Sequence, residues 1–329
     1  MPQQLAVIGG KVYGITEEGG PLNEGALFEF SLKSKKETVL LFFGFNNEGQ
    51  YPNFLNASGK ELFISTQTGT IYAYDTLTKK GATLYNVEQG NVGAVSQSVL
   101  DIDGDLYGTA IVRKQQSVLF QVNAMTGAEK TLFSFNGGKE GGYTIGQLAY
   151  KDGILYGAVD MWNNYLTGGF YRYDLATGRE KMLYVLNETK DGAGPNGITP
   201  CNGLFYSSTW SGGANGFGTV FSVDPATGDE KTLYNFAGGT DGYGGYAPLT
   251  CLGGNLYGTG PAGANNYGDV YEINTKTGQE TVLHNFTGAD GAYPTGQLIS
   301  SHGVLYGTTG NEMRYDSISP GGTIFELAP

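Results

Sequence analysis

Short runs in which apolar and polar residues alternate, each bounded by Gly, Asn, Asp or Pro, fill this chain from end to end. Alternation with a period of two sends one row of side chains into a core and the other toward solvent, the pattern of a half-buried β-strand. The run Thr219-Val220-Phe221-Ser222-Val223 shows it, and residues 26–30, 70–74, 118–122, 169–173, 269–273 and 323–327 follow the same template. A second apolar run, Leu-Tyr-Gly or a variant of it, begins at Val12, Leu62, Leu106, Leu155, Leu204, Leu256 and Leu305, in steps of 44 to 52 residues. Seven copies at this spacing are the mark of a propeller or a solenoid.

The copy around residues 198–236 predicts the unit strand by strand. Strand A, 198–201, ends in the turn Asn202-Gly203, and strand B follows at 204–208. A long loop leads to strand C at 219–223, and Asp224-Pro225-Ala226-Thr227-Gly228 turns the chain into strand D at 230–236. That turn suits a hairpin: Asp caps it, Pro presets one φ, and Gly takes the left-handed position. Strand D recurs six times, because the chain ends just after the seventh strand C. A solenoid would need capping ends and would tolerate any copy number. Four short strands per repeat with aromatic-rich faces instead predict a ring whose blades bury one another. The expected fold is therefore all-β: one seven-bladed β-propeller over residues 1–329, with kelch-like strand order and a three-stranded last blade. The blades fall near 1–45, 46–90, 91–137, 138–188, 189–238, 239–288 and 289–329.

Composition narrows the partners. The formal net charge of −12 repels nucleic-acid backbone and anionic membrane, and the one basic run, Lys33 to Lys36, falls in a turn. No apolar run reaches the ~18 residues of a membrane span. Residues Met1 to Gln4 carry no basic and apolar leader, which suggests an intracellular chain or one whose leader has been removed. No nucleic acid, no membrane insertion and a monomer are expected.

The strand order resembles kelch-type propellers. More closely, the chain is similar to a bacterial tandem-repeat family whose unit reads G-G-x-x-G-x-G-T-V-F followed by L-Y-x-F. Residues Gly212 to Phe221 with Leu233-Tyr234-Asn235-Phe236 carry the best copy, and Gly263 to Tyr271 a close second. The resemblance implies a propeller, often exported and held at the cell surface, and implies no catalytic residues.

The A–B and C–D turns are short and stereotyped, whereas the D–A and B–C loops are long and vary, which makes their face the expected binding surface. Counted three residues beyond the glycine of each register, the variable position holds Glu17, Gln67, Ile111, Asp160, Thr209, Pro261 and Gly310. The two tryptophans, Trp162 and Trp210, fall on B–C loops, with Tyr267, Arg314 and Asp316, while Tyr243 and Tyr246 fall on a D–A loop. Aromatic rings stack on the apolar face of a sugar, and carboxylates accept its hydroxyls. Glu17, Asp160, Trp162, Trp210, Tyr243, Tyr246, Tyr267 and Arg314 are therefore the candidate binding residues, with ordinary packing between loops as the competing reading of each tyrosine. The expected ligand is a carbohydrate, a peptide or a small molecule. The first functional expectation is a noncatalytic binding module for carbohydrate or protein. The second is an enzyme working with Glu17, Asp160 and Asp316 at the channel mouth, and the third an interaction scaffold.

No cofactor and no metal are expected. Asp191-Gly192, Asp241-Gly242 and Asp290-Gly291 read as turns, with calcium as the alternative. His284 and His302 lie on separate elements without the spacing of zinc ligands. Cys201 and Cys251 stand near the ends of adjacent A strands, three and five residues before their registers, and are expected as two separate buried thiols rather than a disulfide.

Overall fold

The computed structural model describes the chain except residues 1, 87–93, 96–98, 114–115, 138–140, 161–167, 295 and 311–321. It is a seven-bladed β-propeller with no α-helix among the described residues. Blade 1 orders its strands Pro2–Ile8, Lys11–Thr16, Ala26–Ser31 and Lys36–Phe42, each antiparallel to the next. Blades 2, 4 and 6 repeat this A-B-C-D order, and blade 3 does so with a further short segment, Ala94–Val95, paired to its strand B. In blade 5 the inner edge is split: Ala193–Pro195 and Thr199–Cys201 both pair with strand B, Leu204–Ser211. Blade 7 has the three strands Ile299–Ser301, Val304–Thr308 and Ile324–Leu327, as expected.

The chain divides into two compact units, Met1–Gly137 with Gly142–Leu148, and Gly138–Gly141 with Ala149–Pro329. In the first, buried Leu27, Phe43, Leu55 and Ile64 join blades 1 and 2, and Phe63, Ile71, Leu106 and Phe120 join blades 2 and 3. In the second, Phe170 and Phe221 join blades 4 and 5, Val220 and Tyr271 join 5 and 6, and Phe286 and Leu305 join 6 and 7. Each core lies between blades, so a single blade could not bury its own apolar faces.

Cross-strand geometry explains the glycine of Leu-Tyr-Gly. Gly14, Gly108, Gly157, Gly258 and Gly307 each stand opposite a strand-C aromatic: Phe28, Phe120, Tyr171, Tyr271 and Phe325. A Cβ on any of these glycines would come within 2.2–2.6 Å of that ring or its hydroxyl. The far end of the ring fills the space that a side chain would need. Blade 2 has Ile64 opposite Tyr72, and there the tyrosine covers Gly81 of strand D instead. In all six blades with a strand D, the C–D ladder bulges next to this aromatic, at Phe28, Tyr72, Phe120, Tyr171, Phe221 and Tyr271. A bulge bends its strand and increases the local twist.

The pairing also corrects one register. Ser207 of blade 5, not Tyr206, stands opposite Phe221, so its Leu-Tyr-Gly equivalent is Phe205-Tyr206-Ser207. The residue at the variable position is then Trp210 rather than Thr209. A second correction concerns the cysteines: Cys201 and Cys251 form a disulfide with Cα atoms 5.7 Å apart, so they are not separate thiols.

Candidate binding face

A threonine recurs where strand B gives way to the B–C loop. The hydroxyls of Thr16, Thr66, Thr209 and Thr309 accept hydrogen bonds from the backbone N–H groups of Ala26, Thr70, Thr219 and Thr323. This closes the neck of the loop and fixes where the next residue emerges. Residues Glu17, Gln67, Trp210 and Gly310 therefore occupy matched places at the head of their own B–C loops. Glu17, half-buried in the first unit, accepts a hydrogen bond from Gln67 Nε2, and Asp160 ends strand B of blade 4 in the second. Trp162, Arg314 and Asp316 lie outside the described residues.

The aromatic candidates divide by their surroundings. Tyr243 meets Phe217 edge-on at 4.9 Å between ring centroids, and Tyr267 meets Tyr293 at 6.3 Å. Backbone bonds run beside both pairs, from Gly244 N to Phe217 O at 2.8 Å and from Tyr293 N to Tyr267 O at 2.7 Å. These rings stitch a B–C loop to the following D–A loop, the packing role weighed for each tyrosine. Trp210 and Tyr246 differ, being 51% and 61% exposed. Trp210 stands in the stretch of strand B flanked by Ala193↔Ser211 and Pro195↔Thr209, and its indole lies over Gly194, where a Cβ would fall 1.7 Å from Nε1. Tyr246 is held close by. Gly244 packs against the Thr209 carbonyl, Gly245 against that of Thr259, and Asn196 donates to both Ser208 Oγ and Gly245 O. Two bare aromatic surfaces thus rise from neighbouring, well-anchored backbone.

The Asp-Gly turns use their carboxylates internally. Asp191 accepts from the Tyr184 hydroxyl at 2.6 Å and from Asn187 N at 2.9 Å, and Asp241 from the Tyr234 hydroxyl and Ala237 N. Asp290 accepts from Thr287 N at 2.8 Å and lies 2.9 Å from His284 Nε2, so the histidine replaces the tyrosine of the other repeats. The Thr287 amide and hydroxyl, ahead of the histidine, hold the Asp290 carboxyl down at about 2. His302 takes a left-handed A–B turn position, φ 51°, and its Nδ1 lies 2.9 Å from Ser301 Oγ. No three acidic, histidine or cysteine side chains among the described residues converge as metal ligands would.

Blade 6 departs from the threonine pattern. Gly260 and Asp269 stand where blade 5 has Thr209 and Thr219. Burial pushes the Asp269 carboxyl up to about 6, and burial with the nearby Asp241 and Asp269 pushes Glu280 up to about 7. An acid whose pKa is higher folded than unfolded contributes stability that is fully present below its unfolded value, near 4, and is lost as pH rises through its folded value. The thermal midpoint is therefore expected to fall between about pH 4 and 7 on account of these two groups. In Asp269→Asn the same titration, followed by circular dichroism, should be flatter; an unchanged slope would show that the pair does not carry it.

A polar cavity of about 260 Å³ also opens between blades 1 and 2, lined by Asn47, Gln50, Thr68, Thr70 and Asn86. Its residues belong to three separate segments, and nothing in their sequence marks them.

The class defined so far is a seven-bladed propeller whose loop face carries exposed aromatics on a rigid, glycine-rich frame. The signature of the Gloeobacter/Verrucomicrobia repeat matches residues 2–200 and 163–329, and the chain belongs to that family. No curated protein matches it in sequence. Among solved structures it is similar to an oligogalacturonate lyase in complex with manganese, at 12% identity and a TM-score of 0.66, over 97% of this chain and 85% of the other. It is similar also to the oligogalacturonate lyase of Vibrio parahaemolyticus, at 11% identity and 0.63, over 97% and 86%. The extracellular domain of a one-component system from B. thetaiotaomicron matches at 14% identity and 0.65, over 93% of this chain and 39% of that one. At these identities the likeness is one of fold.

Proposed function

We propose that the chain is a noncatalytic binding module that takes neutral carbohydrate on the face formed by its D–A and B–C loops, with Trp210 and Tyr246 as the stacking platform. The observation that carries this reading is their pairing: two large rings more than half exposed on neighbouring backbone, one of them seated on a glycine. Exposed aromatics on a rigid frame give contact area at little entropic cost, and their faces suit the C–H surface of a sugar ring. The net charge of −12 argues against a polyanionic ligand, so neutral oligosaccharides are favoured over polyuronates. The Cys201–Cys251 disulfide supports an oxidising compartment, where such glycans are met.

Titration calorimetry with a panel of neutral oligosaccharides tests the proposal. Trp210→Ala and Tyr246→Ala should each weaken binding roughly 5- to 30-fold, about 1–2 kcal/mol, without altering the thermal midpoint much. Sugar binding that is indifferent to both substitutions would sink this site, and turnover of a bound glycan would sink the noncatalytic reading.

A further inference from the structure

The loops joining blade 4 to 5 and blade 5 to 6 are built alike. Tyr184 and Tyr234 each stand seven residues before an aspartate, Asp191 or Asp241, and donate their hydroxyls to it. Glu230 and Glu280 open the strand D that follows, paired with Val223 and Ile273. The residue before each aspartate differs. Lys190 in the first loop pairs with Glu230 and lies 3.5 Å from Asp191 Oδ1, its side chain 59% exposed. The second loop has the exposed, neutral Thr240 there.

Blade 6 also places Asp269 where blade 5 has Thr219, so three carboxylates gather where the earlier repeat has two and an ammonium. No described lysine or arginine pairs with Asp241, Asp269 or Glu280. Asp269 is 1% exposed, yet its Oδ2 has no hydrogen-bond partner and faces the backbone of Gly242, the residue after Asp241, where a Cβ would fall 2.6 Å away. Glu280 Oε1 is likewise buried without a partner. Buried carboxylates without a counter-charge are costly, and a cation that binds only the folded chain would offset that cost. The three acids do not converge as metal ligands would. An ammonium group needs only what Lys190 has, two carboxylates and a path from solvent.

We propose that Asp241, Asp269 and Glu280 form a receptor for the primary ammonium group of a ligand, in the place that the Lys190 ammonium fills one repeat earlier. The group could come from a lysine side chain or an amino sugar, and the site uses none of the residues of the aromatic platform.

Thermal melting at matched ionic strength tests it. Nα-acetyl-lysine methylamide, glucosamine and methylammonium are the probes, with tetramethylammonium and calcium chloride as controls. Primary amines should raise the midpoint by a few degrees and tetramethylammonium should not, since it has the charge without N–H donors; the stronger of the first two probes identifies the source. Asp269→Asn with Glu280→Gln should abolish the response. Thr240→Lys, which restores the missing ammonium, should raise the midpoint and abolish the response as well. An equal response to tetramethylammonium, a response to calcium alone, or a Thr240→Lys variant no more stable than the parent would overturn the proposal.

Discussion

Replacing Gly157 by valine should destabilise the protein by about 3 kcal/mol or more, at the upper end of what overpacking costs. The glycine has no left-handed φ to protect, so its need is for space alone. A Cβ would fall 2.3 Å from the Tyr171 hydroxyl, and Tyr171 is fully buried in the strand facing it. The ring cannot swing aside cheaply, because it is fully enclosed by its neighbours and the C–D ladder bulges beside it. Gly157→Ser should cost clearly less, since blade 5 carries Ser207 opposite Phe221 in the same place. Denaturant unfolding of the two variants checks this. Equal losses would mean that the side chain's size is not what the site resists.

The strand order and blade count were legible because each blade repeats one solution to one packing problem. Leu-Tyr-Gly survives because strand C lays an aromatic over the glycine, and the Asx turns survive because Asp224, Asp174 and Asn274 accept backbone N–H groups two residues on. Sites made of single departures were harder to see. Asp269 looks in sequence like one more polar residue opening a strand C. Its isolation emerges only when Gly260 and Gly242 are placed beside it. Trp210 was singled out as one of two tryptophans, but its exposed footing on Gly194 depends on the Ala193–Pro195 strand, which no alternation announced. Tyr243 and Tyr267 carry the same residue type and are used for packing between loops, because Phe217 and Tyr293 lie within reach.

Loss of the disulfide is the other large effect expected, and the reason it was hidden in the sequence also explains its geometry. Counted from Leu204 and Leu256, the two cysteines differ by two positions, which sends both side chains to the same face of their blades. The true register of blade 5 starts at Phe205, so Cys201 and Cys251 differ by one. An odd offset points them to opposite faces of their own blades, which is what two facing blades require. The bond closes a span of 50 residues. On the chain-entropy estimate, such a loop contributes about 4 kcal/mol. Cys201→Ala with Cys251→Ala, or reduction of the parent protein, should lower the denaturation midpoint accordingly, and reductant should leave the double variant unchanged. Thiol labelling of the unfolded, unreduced chain should find no free cysteine. Two labelled thiols, or a parent protein whose unfolding is indifferent to reductant, would place the stability of the blade 5 and 6 pair in Phe236, Leu249, Tyr271 and their neighbours alone.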